Sequence, residues 1–295
     1  MLLILGMHRS GTSAIAKGVE SLGLSLGEHL LGAAPDNPKG YWEDAEGVAL
    51  NQKIFARCDL RWNEARILDA DSLLARSEDL RRAAGDLLAS RIACWRQWAF
   101  KDPRTLRTLP VWLAAADDCR LDTRALLVLR DPREVCASLA ARNRMDPLRA
   151  QLMWAAHWLP FLPLLRGHRL AVIDFDEIMT APAQALQRAA TRLAYAVDTR
   201  QLRQYEEEFL DPALRHHRAN DGSSLLPLLA DAYDLLRAFD EIPEAQFWTA
   251  WEGLQLRHRE WGECYALLDA ETDWRRRRRG TWWRWTHGRL RSVAG

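Results

Sequence analysis

The sequence predicts an α/β fold: a parallel sheet flanked by helices, followed by a helical C-terminal region. Four short, near-continuous apolar runs carry the first part of this reading, because strands buried on both faces of a parallel sheet look this way. Each run is followed by residues at helical spacing, the alternation expected of a doubly wound sheet. Three of the runs end directly in charged or glycine-rich segments, and ligands of such sheets sit beyond the carboxyl ends of the strands. The chain has 295 residues, 48% hydrophobic and 27% charged, which suits a globular protein with a real core.

Taken in order, the first strand is Leu2–Leu5, with a helix over Thr12–Leu22 after it. The segment Tyr41–Arg91 reads as mostly helical and is placed over the site as a cap. The second strand, Trp98–Phe100, enters Lys101-Asp102-Pro103-Arg104. The third, Ala125–Leu129, leads into Arg130-Asp131-Pro132 and a helix over roughly Arg133–Arg142. The fourth, Leu170–Ile173, is followed by a helix from about Pro182 to Ala196. Beyond Leu202 the strand signal fades, and Leu225–Phe239 and Pro243–Leu268 have apolar residues three and four apart. Residues 1–273 therefore form one domain, with an α/β core over about 1–200 and a helical region over about 201–273. Residues 274–295 are a basic tail rich in Trp and Arg.

Composition narrows the function classes. No apolar run approaches the ~20 residues of a membrane-spanning helix, and Met1–Leu5 is too short for a secretory signal. The five cysteines are scattered, odd in number and without a C-x-x-C pair, which argues against disulfides or zinc and fits a reducing cytoplasm. The tail carries eight Arg and no acid, so the rest of a chain of net charge +1 sums to −7. Tryptophan and arginine mixed in this way suit an anionic membrane surface or a solubilising tail. Nucleic acid fits less well, since the body is acidic and shows no recognition motif.

The segment Gly6-Met7-His8-Arg9-Ser10-Gly11-Thr12-Ser13 carries the chemistry. A buried strand runs into a glycine turn and a helix start, where backbone N–H groups converge on an anion. The spacing is nearly that of the triphosphatase loop G-x-x-x-x-G-K-[ST], but Thr12 stands where the Lys belongs and the cation has moved to Arg9. A loop serving β- and γ-phosphates with Mg²⁺ needs that Lys. A second constellation comes after the third strand, where Arg130 and, eight residues later, Ser138 pair a guanidinium fork with a hydroxyl, a combination able to hold a terminal phosphate.

These motifs resemble PAPS-dependent sulfotransferases, particularly bacterial carbohydrate-type members with a G-x-H-R-S-G-T-S loop. The resemblance implies a P-loop-type parallel sheet, with Arg9 on the phosphosulfate, Ser10, Gly11, Thr12 and Ser13 around the 5′-phosphate, and His8 touching the nucleotide. It implies that Arg130 and Ser138 hold the 3′-phosphate. Asn37-Pro38-Lys39-Gly40-Tyr41-Trp42-Glu43 and Lys101-Asp102-Pro103-Arg104 are similar to further segments of the same bacterial group. Four motifs in family order cover about Leu2–Ala196.

Sulfuryl transfer to a hydroxyl needs a base near the acceptor and cations near the bridging oxygen. No metal is required in principle, because a sulfuryl group carries less charge than a phosphoryl group. Glu43 is the first candidate base, ending a turn-rich segment with no structural need for a carboxylate. Glu28, nineteen residues after Arg9, is the second; each also reads as a carboxylate at a helix start. Lys101 is read as stabilising the transferring group, Arg104 as doing the same or shaping the site, and Trp42 as a substrate contact. His157, beside Trp154 and Trp158, reads as a core histidine. Arg215-His216-His217-Arg218 is a solvated charge run or a late loop over the nucleotide. The expected acceptor is a carbohydrate or glycan precursor, and the expected location is the cytoplasm, peripheral to the inner face of the cell membrane. Two rivals stay open: a P-loop kinase using ATP–Mg²⁺, and a non-catalytic scaffold in polysaccharide assembly.

Overall fold

The computed structural model describes residues 1–34, 37–210, 224–268 and 270. The basic tail and the Arg215–Arg218 run lie outside the described residues. The elements in chain order are β1 (Leu2–Leu5), α1 (Thr12–Gly18), α2 (Ala45–Arg57), α3 (Ala70–Arg76), α4 (Glu78–Cys94), β2 (Ala99–Lys101), α5 (Thr105–Asp118), β3 (Arg124–Leu129), α6 (Pro132–Asn143), α7 (Pro147–Trp158) and β4 (Arg169–Asp174). They continue with α8 (Phe175–Thr180), α9 (Pro182–Leu193), α10 (Thr199–Gln204), α11 (Pro227–Arg237) and α12 (Glu244–Arg259).

The strands pair in the order β2-β1-β3-β4, every pair parallel. Parallel pairing explains the unbroken apolar runs, since helices cover both faces. Leu3, Leu5, Leu127 and Val172 enter one core with residues of α2, α4, α5, α7, α11 and α12. Leu2, Ile4, Leu126 and Ile173 enter the other with α1, α8, α9 and α10. Among the described residues Trp98, Trp112, Trp154, Trp158 and Trp251 are fully buried and belong to the core. Among the described residues no helix is long and apolar enough to cross a membrane.

Two expectations shift. The second strand starts one residue late and takes in Lys101, which pairs with Ile4 of β1, while Trp98 before it forms a separate bridge with Ser25. The helices of the 41–91 segment do not lie over the first loop. They pack with α5 on one face of the sheet, where Leu50, Ile54, Leu87 and Leu88 join Phe100 and Trp112. The segment reaches the loop through its start, Tyr41–Glu43, and through the Trp62 ring, whose centre lies 5.2 Å from that of His8. After β4 comes the extra helix α8, started by an Asp174–Glu177 capping box.

Candidate active site

Order reverses in the sheet at β1, which has β2 on one side and β3 on the other. Crevices of doubly wound sheets open at such a point, beyond the carboxyl ends of the strands. Residues 6–13 leave β1 there, Lys101 ends β2, Arg130 comes after β3, and Phe175 after β4. One cleft of about 150 Å³ is lined by His8, Arg9, Glu43, Lys101, Arg130 and Phe175, among others.

The loop is set by close approach. Gly11 has φ +83° and caps α1, and a Cβ there would run into the Phe175 ring. Arg9 adopts the left-handed region at φ +71° without being glycine, a conformation non-glycine residues adopt uncommonly. Its carbonyl accepts from Arg130 Nη1 at 3.1 Å, and its Nε donates to Ser138 Oγ at 2.9 Å. Arg130 in turn donates from Nε to Glu134 at 2.9 Å, and its guanidinium lies 4.7 Å from the centre of the Phe175 ring. So the first loop and the residues after β3 meet in one cluster. Ser10 is buried behind the loop with no hydrogen-bond partner for its hydroxyl.

The other wall comes from β2 and residues 37–43. Gly40 (φ +95°) and Trp42 (φ +58°) bracket Tyr41 in left-handed conformations. The Tyr41 carbonyl accepts from Lys101 Nζ at 3.0 Å and from Ser13 Oγ at 3.3 Å. Lys101 uses its other protons on Ser13 Oγ at 3.2 Å and Glu43 Oε1 at 2.7 Å. Arg104 Nη2 reaches Glu43 Oε2 at 3.3 Å. Asn37 Nδ2 donates to Ser13 Oγ at 3.1 Å and to the Gly40 carbonyl at 2.7 Å, bracing this turn against α1. Burial raises the Glu43 pKa above its ordinary value, with Asp102 adding to the effect and Lys101 and Arg104 opposing it. Burial likewise holds the His8 imidazole well below its usual pKa, so it is neutral near pH 7.

The structure brings His8, Arg9, Gly11, Thr12, Ser13, Glu43, Lys101 and Arg130 to the cleft. Ser138 joins through Arg9, and Arg104 through Glu43. Glu28 is exposed and outside the cleft lining. The Trp42 ring lies instead against Lys17, at 4.8 Å, and Phe209, at 6.0 Å. Phe175 and Asn37 are additions. Asn37 begins the 37–43 motif, whose sequence already marked it. Phe175 carried a positional signal, as the first residue beyond the fourth strand at the sheet's carboxyl edge.

Charge, more than size, distinguishes this cleft. Its lining has four cationic side chains (Arg9, Lys101, Arg130, Arg142) to one carboxylate. A larger cavity of about 1050 Å³ beyond β3 and β4 has eight carboxylates to three arginines and would repel an anion. At about 150 Å³ the cleft is smaller than pockets that enclose a whole drug-sized ligand, which measure about 300–1,000 Å³.

Comparison with solved structures finds the same fold. A sulfotransferase domain from the curacin biosynthetic pathway aligns over 80% of this chain and 97% of its own, with TM-score 0.50 and 15% identity. The chain has the fold of a sulfotransferase domain. Two further sulfotransferases align less closely. The domain of the Synechococcus PCC 7002 olefin synthase has TM-score 0.44 and 20% identity, over 79% of this chain and 86% of that one. STF1 from Mycobacterium tuberculosis H37Rv has TM-score 0.42 and 11% identity, over 74% and 73%. No protein-family model matches the chain, and no curated protein matches it. Within this fold, the cationic cleft opens where Arg9, Arg130 and Lys101 converge.

Proposed function

We propose that the protein is a PAPS-dependent sulfotransferase that moves a sulfuryl group to a hydroxyl of a carbohydrate or glycan precursor. The observation that carries this reading is the meeting of Arg9, Ser138 and Arg130 at the carboxyl ends of β1 and β3, within 3.1 Å of one another in successive contacts. A guanidinium and a hydroxyl beside a phosphate loop supply a second anion site next to the first. A nucleotide with phosphates at both 3′ and 5′ uses both. The absence of the loop Lys leaves Thr12 where a triphosphatase needs a cation.

In this reading the acceptor oxygen bonds to sulfur as the bond from sulfur to the bridging oxygen breaks, leaving adenosine 3′,5′-bisphosphate. Glu43 takes the hydroxyl proton, and its raised pKa suits it to hold that proton. Lys101, hydrogen-bonded to both Glu43 and Ser13, supplies positive charge between the base and the loop. Arg9 offsets charge developing on the 5′-phosphate. The carbohydrate acceptor rests on the likeness of the loop to carbohydrate-type members. As proposed, the reaction needs no metal.

The test is thermal stabilisation by adenosine 3′,5′-bisphosphate without metal, against ATP with Mg²⁺, followed by radiolabelled sulfate transfer to a glycan panel. Stabilisation by ATP–Mg²⁺ alone overturns the reading in favour of a kinase. Bisphosphate binding without transfer to any acceptor points to a non-catalytic scaffold. We place the enzyme in the cytoplasm, held at the inner membrane face by residues 274–295. Co-sedimentation with phosphatidylserine vesicles but not phosphatidylcholine vesicles is expected, and no difference between them removes the membrane assignment.

A further inference from the structure

Beneath the cleft, Asn51 on α2 is fully buried and uses all of its hydrogen-bonding capacity. Its Nδ2 donates to Asp102 Oδ2 at 2.9 Å and to Thr105 Oγ1 at 3.1 Å. Its Oδ1 accepts from Thr108 Oγ1 at 2.6 Å and Trp112 Nε1 at 2.8 Å. The amide orientation is settled by chemistry. An indole N–H can only donate, so the carbonyl must face Trp112 and the amino group must face the Asp102 carboxylate.

Asp102 is itself inaccessible to solvent. A buried carboxylate is costly, and apolar residues would join α2 to α5 without that cost. The partners of this carboxylate point toward the reaction centre. Asp102 accepts from the Arg104 amide at 2.9 Å and from Arg104 Nε at 2.8 Å. Arg104 then reaches Glu43 at 3.3 Å. A continuous line of hydrogen bonds thus runs from the Trp112 indole in the core, through Asn51, Asp102 and Arg104, to Glu43. Every link other than Arg104 belongs to a buried side chain.

We infer that Asn51 and Asp102 are positioning residues that aim Arg104 at Glu43 and set the Glu43 carboxyl for proton transfer. The inference rests on the reading of Glu43 as the base. The charged groups facing Glu43 are Lys101, Arg104 and Asp102. Lys101 and Arg104 favour its ionised form and Asp102 disfavours it, so neutralising Asp102 removes a repulsion that raises the pH at which Glu43 ionises, while release of Arg104 removes an attraction that lowers it.

Two measurements on the full-length chain test this. The first is infrared difference titration of the Glu43 carboxyl in free protein, identified by its absence from Glu43→Gln. Asp102→Asn should lower the midpoint less with Arg104 present than in an Arg104→Gln background, because only the former also loses the aimed guanidinium, and equal shifts in the two backgrounds overturn the inference whatever reaction the protein performs. The second is sulfate transfer by Asn51→Leu. The expected result is a fall in kcat of about 10- to 100-fold with KM for the donor within twofold, the effect of a misplaced group outside the donor site. Where Asn51→Leu does not fold, Thr108→Val removes one donor to Asn51 and serves in its place. Wild-type kcat and titration in a variant of lowered Tm reduce the network to a structural staple. Full activity of Glu43→Gln instead sinks the reading of the base, while the titration still decides the network.

Discussion

Lys101 Nζ and Glu43 Oε1 lie 2.7 Å apart, with their side chains 2% and 6% exposed. Because Lys101 also donates to Ser13 and to the Tyr41 carbonyl, this one ion pair ties the candidate base to the start of α1. Breaking a buried pair by removing one partner costs about 3–5 kcal/mol, because the other charge is left buried alone, whereas neutral replacement of both costs much less. Lys101→Met is therefore expected to lower the free energy of unfolding by about 3 kcal/mol, and Glu43→Gln/Lys101→Met to recover at least about half of that. Urea unfolding of wild type, both single variants and the double variant checks the coupling. Additive losses would mean the two side chains act independently.

Glu43→Gln also separates binding from chemistry. It keeps the side-chain shape and removes the proton acceptor, so kcat should fall about 10²–10⁴-fold, while adenosine 3′,5′-bisphosphate binds as before. In wild type the acid limb of the kcat profile should lie above the ordinary Glu value of about 4.3. The sign comes from burial raising the Glu43 pKa: the base is lost as pH falls through that raised value. An acid limb unchanged in Glu43→Gln would assign it to another group.

Arg130→Met tests the proposed second anion site while keeping an apolar stem beside Phe175. Truncating a hydrogen-bonded charge that holds a phosphate commonly costs 2–5 kcal/mol. Affinity for adenosine 3′,5′-bisphosphate is expected to drop about 100-fold, or about 2.7 kcal/mol, and affinity for AMP to stay within about threefold. Isothermal titration calorimetry with both nucleotides makes the comparison. An equal loss for the two would place Arg130 away from the 3′-phosphate.

The sheet was legible in the sequence because parallel strands covered on both faces leave continuous apolar runs, as in Leu2–Leu5 and Ala125–Leu129. The loop was legible because a phosphate turn has few solutions in glycine and cation spacing. What could not be read was placement set by distant contacts. Asp102, with Pro103, passed for turn chemistry, and it does accept from the Arg104 amide. Nothing local says that Asn51, on a helix 51 residues earlier, also holds that carboxylate. Trp42 sat beside Glu43 in one motif, yet its left-handed backbone turns the two side chains to different surroundings. The 41–91 helices were assigned to the cap, whereas their apolar residues pack with Phe100 and Trp112 on one face of the sheet.

Acid should destabilise the protein through His157. This residue is fully buried on α7, its Nδ1 lies 2.7 Å from the Met153 carbonyl, and burial depresses its pKa to about 3. An unfolded histidine takes up its proton near pH 6.5, so the unfolded state binds more protons than the native state below that point. The contribution is fully present above about pH 6.5 and is lost as pH falls toward about 3. Between pH 7 and pH 5 the loss should be about 2 kcal/mol. His157→Gln, which keeps an N–H for the Met153 carbonyl, should flatten that part of the curve. Urea unfolding at the two pH values measures it, and an equal slope in wild type and His157→Gln would move the acid sensitivity to another group.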